Sequence, residues 1–104
     1  MIILVVSPKE GVCKSTTALH VACGLKDYGS VLVVDGDRNR TILNWEKLGK
    51  IPITVVDEQD TPGKLKQFEY IVIDTPANPE PEDINLLAAR VDLAIIPVVP
   101  SELV

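Results

Sequence analysis

Short aliphatic and β-branched runs recur along the chain at residues 2–6, 31–34, 53–56, 70–73 and 93–98. Each is mostly apolar without strict alternation, the pattern of strands covered on both faces of a sheet rather than wetted on one. Between the first two runs, Ala18, Val21, Ala22 and Leu25 recur at helical spacing, and Tyr28-Gly29-Ser30 supplies a helix stop. Residues 39–48 predict a second helix with Ile42, Trp45 and Leu48 on one side, ended by Gly49 and Pro52. Residues 81–90 predict a third, opened by Pro81 in its first turn. Residues 60–66 fit neither template. Strands alternating with helices predict an α/β fold: a mostly parallel sheet, right-handed crossovers and helices on both faces.

Composition adjusts this picture in a few places. With 104 residues, 46% of them hydrophobic, the chain can build one packed core, and it shows no repeat, low-complexity tract or linker. A formal charge of −5 argues against a broad electrostatic grip on nucleic acid. The longest apolar runs fall far short of the roughly 20 residues that span a bilayer. The first run begins at once and meets Pro8 and Lys9, unlike a secretory signal, so a cytoplasmic location is expected. Cys13 and Cys23, with the single His20, suggest neither a metal cage nor a disulfide framework, and reduced thiols are expected. His20, Trp45 and Tyr28 read as structural or packing residues. Residues 78–83, acidic and proline-rich, read as a solvated loop.

Candidate chemistry begins where the first strand ends. Ser7-Pro8-Lys9-Glu10-Gly11-Val12-Cys13-Lys14-Ser15-Thr16-Thr17 stands between an apolar strand and an amphipathic helix. A phosphate-binding loop needs that context: successive backbone N–H groups and a helix N-terminus converge on the anion, a lysine reaches the terminal phosphates and a hydroxyl meets magnesium. Taken alone, Ser15, Thr16 and Thr17 equally suit the cap of an unrelated helix. Two further features shift the balance. Asp74 closes the apolar run Tyr70-Ile71-Val72-Ile73, at the end of a strand where open α/β sheets bind ligands. Asp35-Gly36-Asp37 closes the second run with two more carboxylates.

In combination these segments resemble the deviant Walker A ATPases, the group that includes the ParA partitioning proteins and MinD. Their loop, Lys-Gly-Gly-x-Gly-Lys-Ser/Thr-Thr, is matched in register by Lys9-Glu10-Gly11-Val12-Cys13-Lys14-Ser15-Thr16-Thr17. Their Asp-x-Asp strand end is similar to Asp35-Gly36-Asp37, their Walker B region to Ile71-Val72-Ile73-Asp74-Thr75-Pro76, and their Pro-x-x-Pro exit to Pro97-Val98-Val99-Pro100.

The resemblance implies a P-loop NTPase that binds ATP or ADP with Mg2+. Lys14 would contact the β- and γ-phosphates, Ser15 would ligate magnesium, and Thr16 with the backbone of residues 9–13 would hold the remaining phosphate oxygens. Lys9 would reach across a nucleotide-dependent homodimer, Asp37 would help place the attacking water, and Asp35 and Asp74 would act through the magnesium shell. Positioning and charge neutralisation of this kind supply most of phosphoryl-transfer catalysis. The resemblance further implies a ParB-like stimulating partner. Family members continue with further strands and helices that carry much of the DNA-binding or membrane-targeting surface. Residues 1–104 are therefore expected to be the N-terminal nucleotide-binding portion of such a domain, truncated after the fifth strand.

Three positions depart from the family. Glu10 replaces the first glycine of the Gly-Gly pair, Cys13 replaces the glycine before Lys14, and Pro8 takes the place of the first glycine of the general P-loop pattern. Glycines serve there because the loop needs permissive dihedrals and close backbone approach to phosphate. A Glu10 carboxylate about 4 Å from a phosphate would oppose binding by about 1 to 4 kcal/mol, depending on screening. Three readings therefore stand: a ParA-like ATPase, a degenerate module that has lost hydrolysis, and another P-loop ATPase of the iron-protein or biotin-pathway kind. Arg38 and Arg40, following the Asp-x-Asp, read either as contacts to nucleotide or partner or as solvated helix-start charges.

Overall fold

A computed structural model describes residues 1–6, 14–36, 40–49, 52–57, 67–75 and 91–97. Along them run β1 (Ile2–Val5), α1 (Lys14–Leu25), β2 (Val31–Asp35), α2 (Thr41–Lys47), β3 (Thr54–Asp57), β4 (Tyr70–Asp74) and β5 (Leu93–Ile95). The five strands form one sheet in the order β3-β2-β4-β1-β5, and every pairing is parallel. The helix expected at 81–90 and the unassigned stretch at 60–66 lie outside the described residues.

Side chains alternate across the sheet and build two cores. On one face Val5, Val31, Val33, Val55 and Val72 pack with Ala18 and Ala22 of α1 and Ile42 of α2. Leu32, Val34, Val56 and Ile71 cluster on the other, joined by Ile2, Phe68 and Ile73. Burial on both faces explains why β2 reads as unbroken apolar sequence, since all five of its residues are buried. The small Ala18 and Ala22 let α1 lie close to the sheet, and Trp45 packs against the same core as expected.

Three expectations are corrected. β5 is not enclosed: Leu93 and Ala94 are exposed, because an edge strand has a neighbour on one side only. Leu48 is exposed because α2 ends at Lys47, so the position leaves the apolar stripe. Tyr28 is exposed because it occupies the turn after α1, with its N–H bonded to the Leu25 carbonyl.

This strand order creates a crevice. β1 connects through α1 to β2, passing β4, whereas the next strand after β4 is β5, on the far side of β1. Adjacent strands whose connections leave in opposite directions form a topological switch point, where open α/β sheets receive ligands at their carboxyl ends.

Candidate functional site

Strand register sets the floor of this crevice. Val5 pairs with Asp74, Asp74 with Asp35, and Asp35 with Asp57, so one row across the carboxyl edge carries three carboxylates beside the end of β1. Asp35 and Asp74 are completely buried. These carboxylates lie two residues beyond the core valines Val33, Val55 and Val72 and hence on the α1 and α2 face.

Lys14 and Ser15 open α1 directly above Asp74. Ser15 Oγ donates a 2.7 Å hydrogen bond to Asp74 Oδ2, and Lys14 Nζ lies 3.7 Å from Asp74 Oδ1. The lysine is itself buried, 9% exposed, so its charge is held in a low-dielectric setting opposite a carboxylate. At 3.7 Å the ammonium is in ion-pair range of Asp74. A helix N-terminus adds its own attraction for negative charge at this place.

Neighbouring bonds keep the arrangement rigid. Thr75, which follows β4, donates to the Val5 carbonyl twice, from N–H at 3.2 Å and from Oγ1 at 2.8 Å. The Gly36 N–H donates to the Asp74 carbonyl at 2.8 Å. The ends of β1, β4 and β2 are thereby tied together around the carboxylate.

Asp35 is turned another way. Its Oδ2 accepts the Leu43 N–H of α2 at 3.0 Å, satisfying one of the donors that the first turn of a helix leaves open. Asp57 Oδ2 accepts a 2.7 Å charge-assisted bond from Arg40 Nε, so Arg40 is anchored rather than a solvated helix-start charge. Sequence reading singled out Lys14, Ser15, Asp35 and Asp74, which the fold brings to one edge. It did not single out Asp57; the signal was the third apolar run, ending, like two others, in aspartate. Thr16 is exposed on α1. Lys9, Glu10, Gly11, Val12, Cys13 and Asp37 lie outside the described residues.

The donors present suit a hard divalent cation. The Ser15 hydroxyl and the Asp74 carboxylate are adjacent oxygens, the type that binds magnesium. Among the described residues no group of three or more His, Cys, Asp and Glu converges as a metal cage. A magnesium ion here would be held in its usual way, by one or two protein oxygens together with phosphate and water.

Comparison with known proteins bears on the same region. No protein-family model matches the chain. It is 28% identical, over 91% of its length, to the maintenance of carboxysome distribution protein A of Halothiobacillus neapolitanus, covering 49% of that protein. It is 26% identical, over 98% of its length, to the protein of the same name from Gloeobacter kilaueensis, covering 50% of it. The chain thus spans about half the length of the curated relatives it matches. No helix among the described residues is long and apolar enough to cross a membrane.

Proposed function

We propose that residues 1–104 are the nucleotide-binding portion of a ParA-like ATPase that binds Mg-ATP and hydrolyses it slowly, coupling nucleotide-dependent dimerisation to the positioning of a cargo. The observation that carries this reading is the meeting of Lys14, Ser15 and Asp74 at the switch point of a parallel sheet. The two relatives support the positioning role, since both are named for maintaining carboxysome distribution. A cytoplasmic protein, a ParB-like stimulator and a DNA contact made outside residues 1–104 belong to the same reading.

In this mechanism Lys14 neutralises charge on the β- and γ-phosphates, drawn from its place beside Asp74. Ser15 Oγ and Asp74 would hold Mg2+, which when bound would offset phosphate charge. Asp35, whose Oδ2 accepts the Leu43 N–H, would act through that shell. Thr16 and the backbone of residues 9–13, with Glu10, Gly11, Val12 and Cys13 among them, would contact the phosphates. Lys9 would reach the partner's nucleotide across the dimer, and Asp37 would orient the attacking water. Positioned charges of this kind act by stabilising the phosphoryl-transfer transition state.

Glu10 and Cys13 favour a second reading, a scaffold that binds nucleotide without turning it over. Titration calorimetry with ATP and ADP, with and without Mg2+, decides between them when paired with a phosphate-release assay. Binding lost in Lys14→Ala together with slow turnover supports the ATPase. Binding without turnover supports the scaffold, and restoring glycine at positions 10 and 13 should then recover hydrolysis. Absence of any nucleotide binding by the intact chain defeats both.

A further inference from the structure

Strand β3 stands at one end of the sheet, and among the described residues β2 is its one strand neighbour. Ile53-Thr54-Val55-Val56 is uncharged and entirely β-branched, a sequence that readily pairs with a further strand. An open edge of this composition is a template for another chain, and folded proteins close such edges with charge, proline or a covering group.

A closing group is present. The Val55 N–H donates at 2.8 Å to Glu46 Oε2 of α2. Successive residues of a strand turn their backbone groups alternately to its two sides, so an amide bonded to a side chain is one turned away from β2. Val55 itself stands in register with Val33, its side chain in the core beneath α1 and α2. The Glu46 carboxylate thus comes over the edge from the helix and takes the donor that an incoming strand would use. At the end of the same strand, Arg40 Nε donates to Asp57 Oδ2 at 2.7 Å and holds the start of α2 there. Pro52, with no N–H to offer, precedes the strand.

We infer that Glu46 closes β3 against strand addition by a second copy of this chain. A second copy fits because two β3 strands related by a two-fold axis run antiparallel and present each other with the same donors and acceptors. No like charges along Ile53-Thr54-Val55-Val56 would oppose that pairing. A bond that only fastened α2 to the sheet would add stability and leave association unaffected.

The test uses the whole chain without nucleotide, so its result is independent of the ATPase reading, and each variant is checked for folding by circular dichroism. In Glu46→Ala the weight-average mass by sedimentation should rise about 1.5- to 2-fold between about 5 and about 200 μM, while wild type rises less than about 1.2-fold. Glu46→Gln, which keeps an acceptor oxygen, should follow wild type. Thr54 is exposed, and lysine on an edge strand blocks pairing, so adding Thr54→Lys to Glu46→Ala should restore the wild-type mass. A folded Glu46→Ala chain whose mass follows wild type overturns the proposal. So does association that Thr54→Lys leaves in place, or that Glu46→Gln shows in equal measure. Should Glu46→Ala not fold, Glu46→Asp, one methylene shorter than the reach to the amide, carries the same expectation and the same refutation.

Discussion

Asp35 and Asp74 end neighbouring strands in register, both completely buried, and they face different tasks. Asp74 meets Ser15 and Lys14 at the start of α1, whereas Asp35 meets the backbone of α2. One row of carboxylates therefore serves two helices, and substitutions at the two positions should both lower stability, by different amounts and through different helices.

Asp74→Asn keeps the shape and removes the charge opposite Lys14. Breaking one side of a buried ion pair destabilises by about 3–5 kcal/mol, and the retained amide, still able to accept from Ser15, should hold the loss to the lower end. Urea unfolding measures that loss. In calorimetry, the proposed role of Asp74 toward Mg2+ implies that the gain in ATP affinity on adding Mg2+ should shrink at least about tenfold.

Asp35→Ala removes the acceptor for the Leu43 N–H, and a helix-start acceptor of this kind contributes about 0.5–2 kcal/mol. Asp35→Asn, which can still accept, should be milder. The checking measurement is the urea midpoint of the two variants side by side; equal losses would mean that the charge, not the hydrogen bond, carries the effect.

Leu32 is fully buried in β2, and Leu93 is 48% exposed on β5. Leu32→Ala should lower stability by about 2–5 kcal/mol through lost contacts and a residual cavity. Leu93→Ala should change it by less than about 1 kcal/mol, because little apolar area is given up. Thermal unfolding of both variants tests whether the core lies in the middle of the sheet.

Gly49 sits at φ 73° just past α2, its N–H bonded to the Glu46 carbonyl, and a Cβ there would meet nothing within 4 Å. Gly49→Ala therefore isolates the backbone term, about 1–2 kcal/mol for a left-handed residue with a Cβ. A smaller loss by denaturant titration would indicate that the turn after α2 relaxes.

Much of this architecture was legible in the sequence because parallel strands covered on both faces leave unbroken apolar runs, and β1, β2, β3 and β4 begin or end within a residue or so of those runs. The edge strand β5 was overcalled in length and burial, since an apolar run looks the same whether one neighbour covers it or two. At the candidate site, Lys14, Ser15 and Asp74 were legible because a strand-loop-helix context fixes where they must stand. The pairing of Arg40 with Asp57 was not, because it joins residues 17 apart in sequence and no local pattern announces it. The division of labour between Asp35 and Asp74 was equally hidden: both look like aspartates at strand ends, and only packing of α2 over β2 assigns one to a helix start.

The register of β1 also shapes how the molecule comes into being. Ile2 finds its partner in Ile71 and Ile3 in Leu93, so β1 has no neighbour until β4 has been made and no second one until β5 has. Meanwhile β2 and β3, close in sequence, can pair early. Assembly is governed by closure of long loops and should be slow for a chain of this size, with an aliphatic strand exposed in the interval. The same placement of β1 beside β4 that creates the crevice thus makes the crevice late to form.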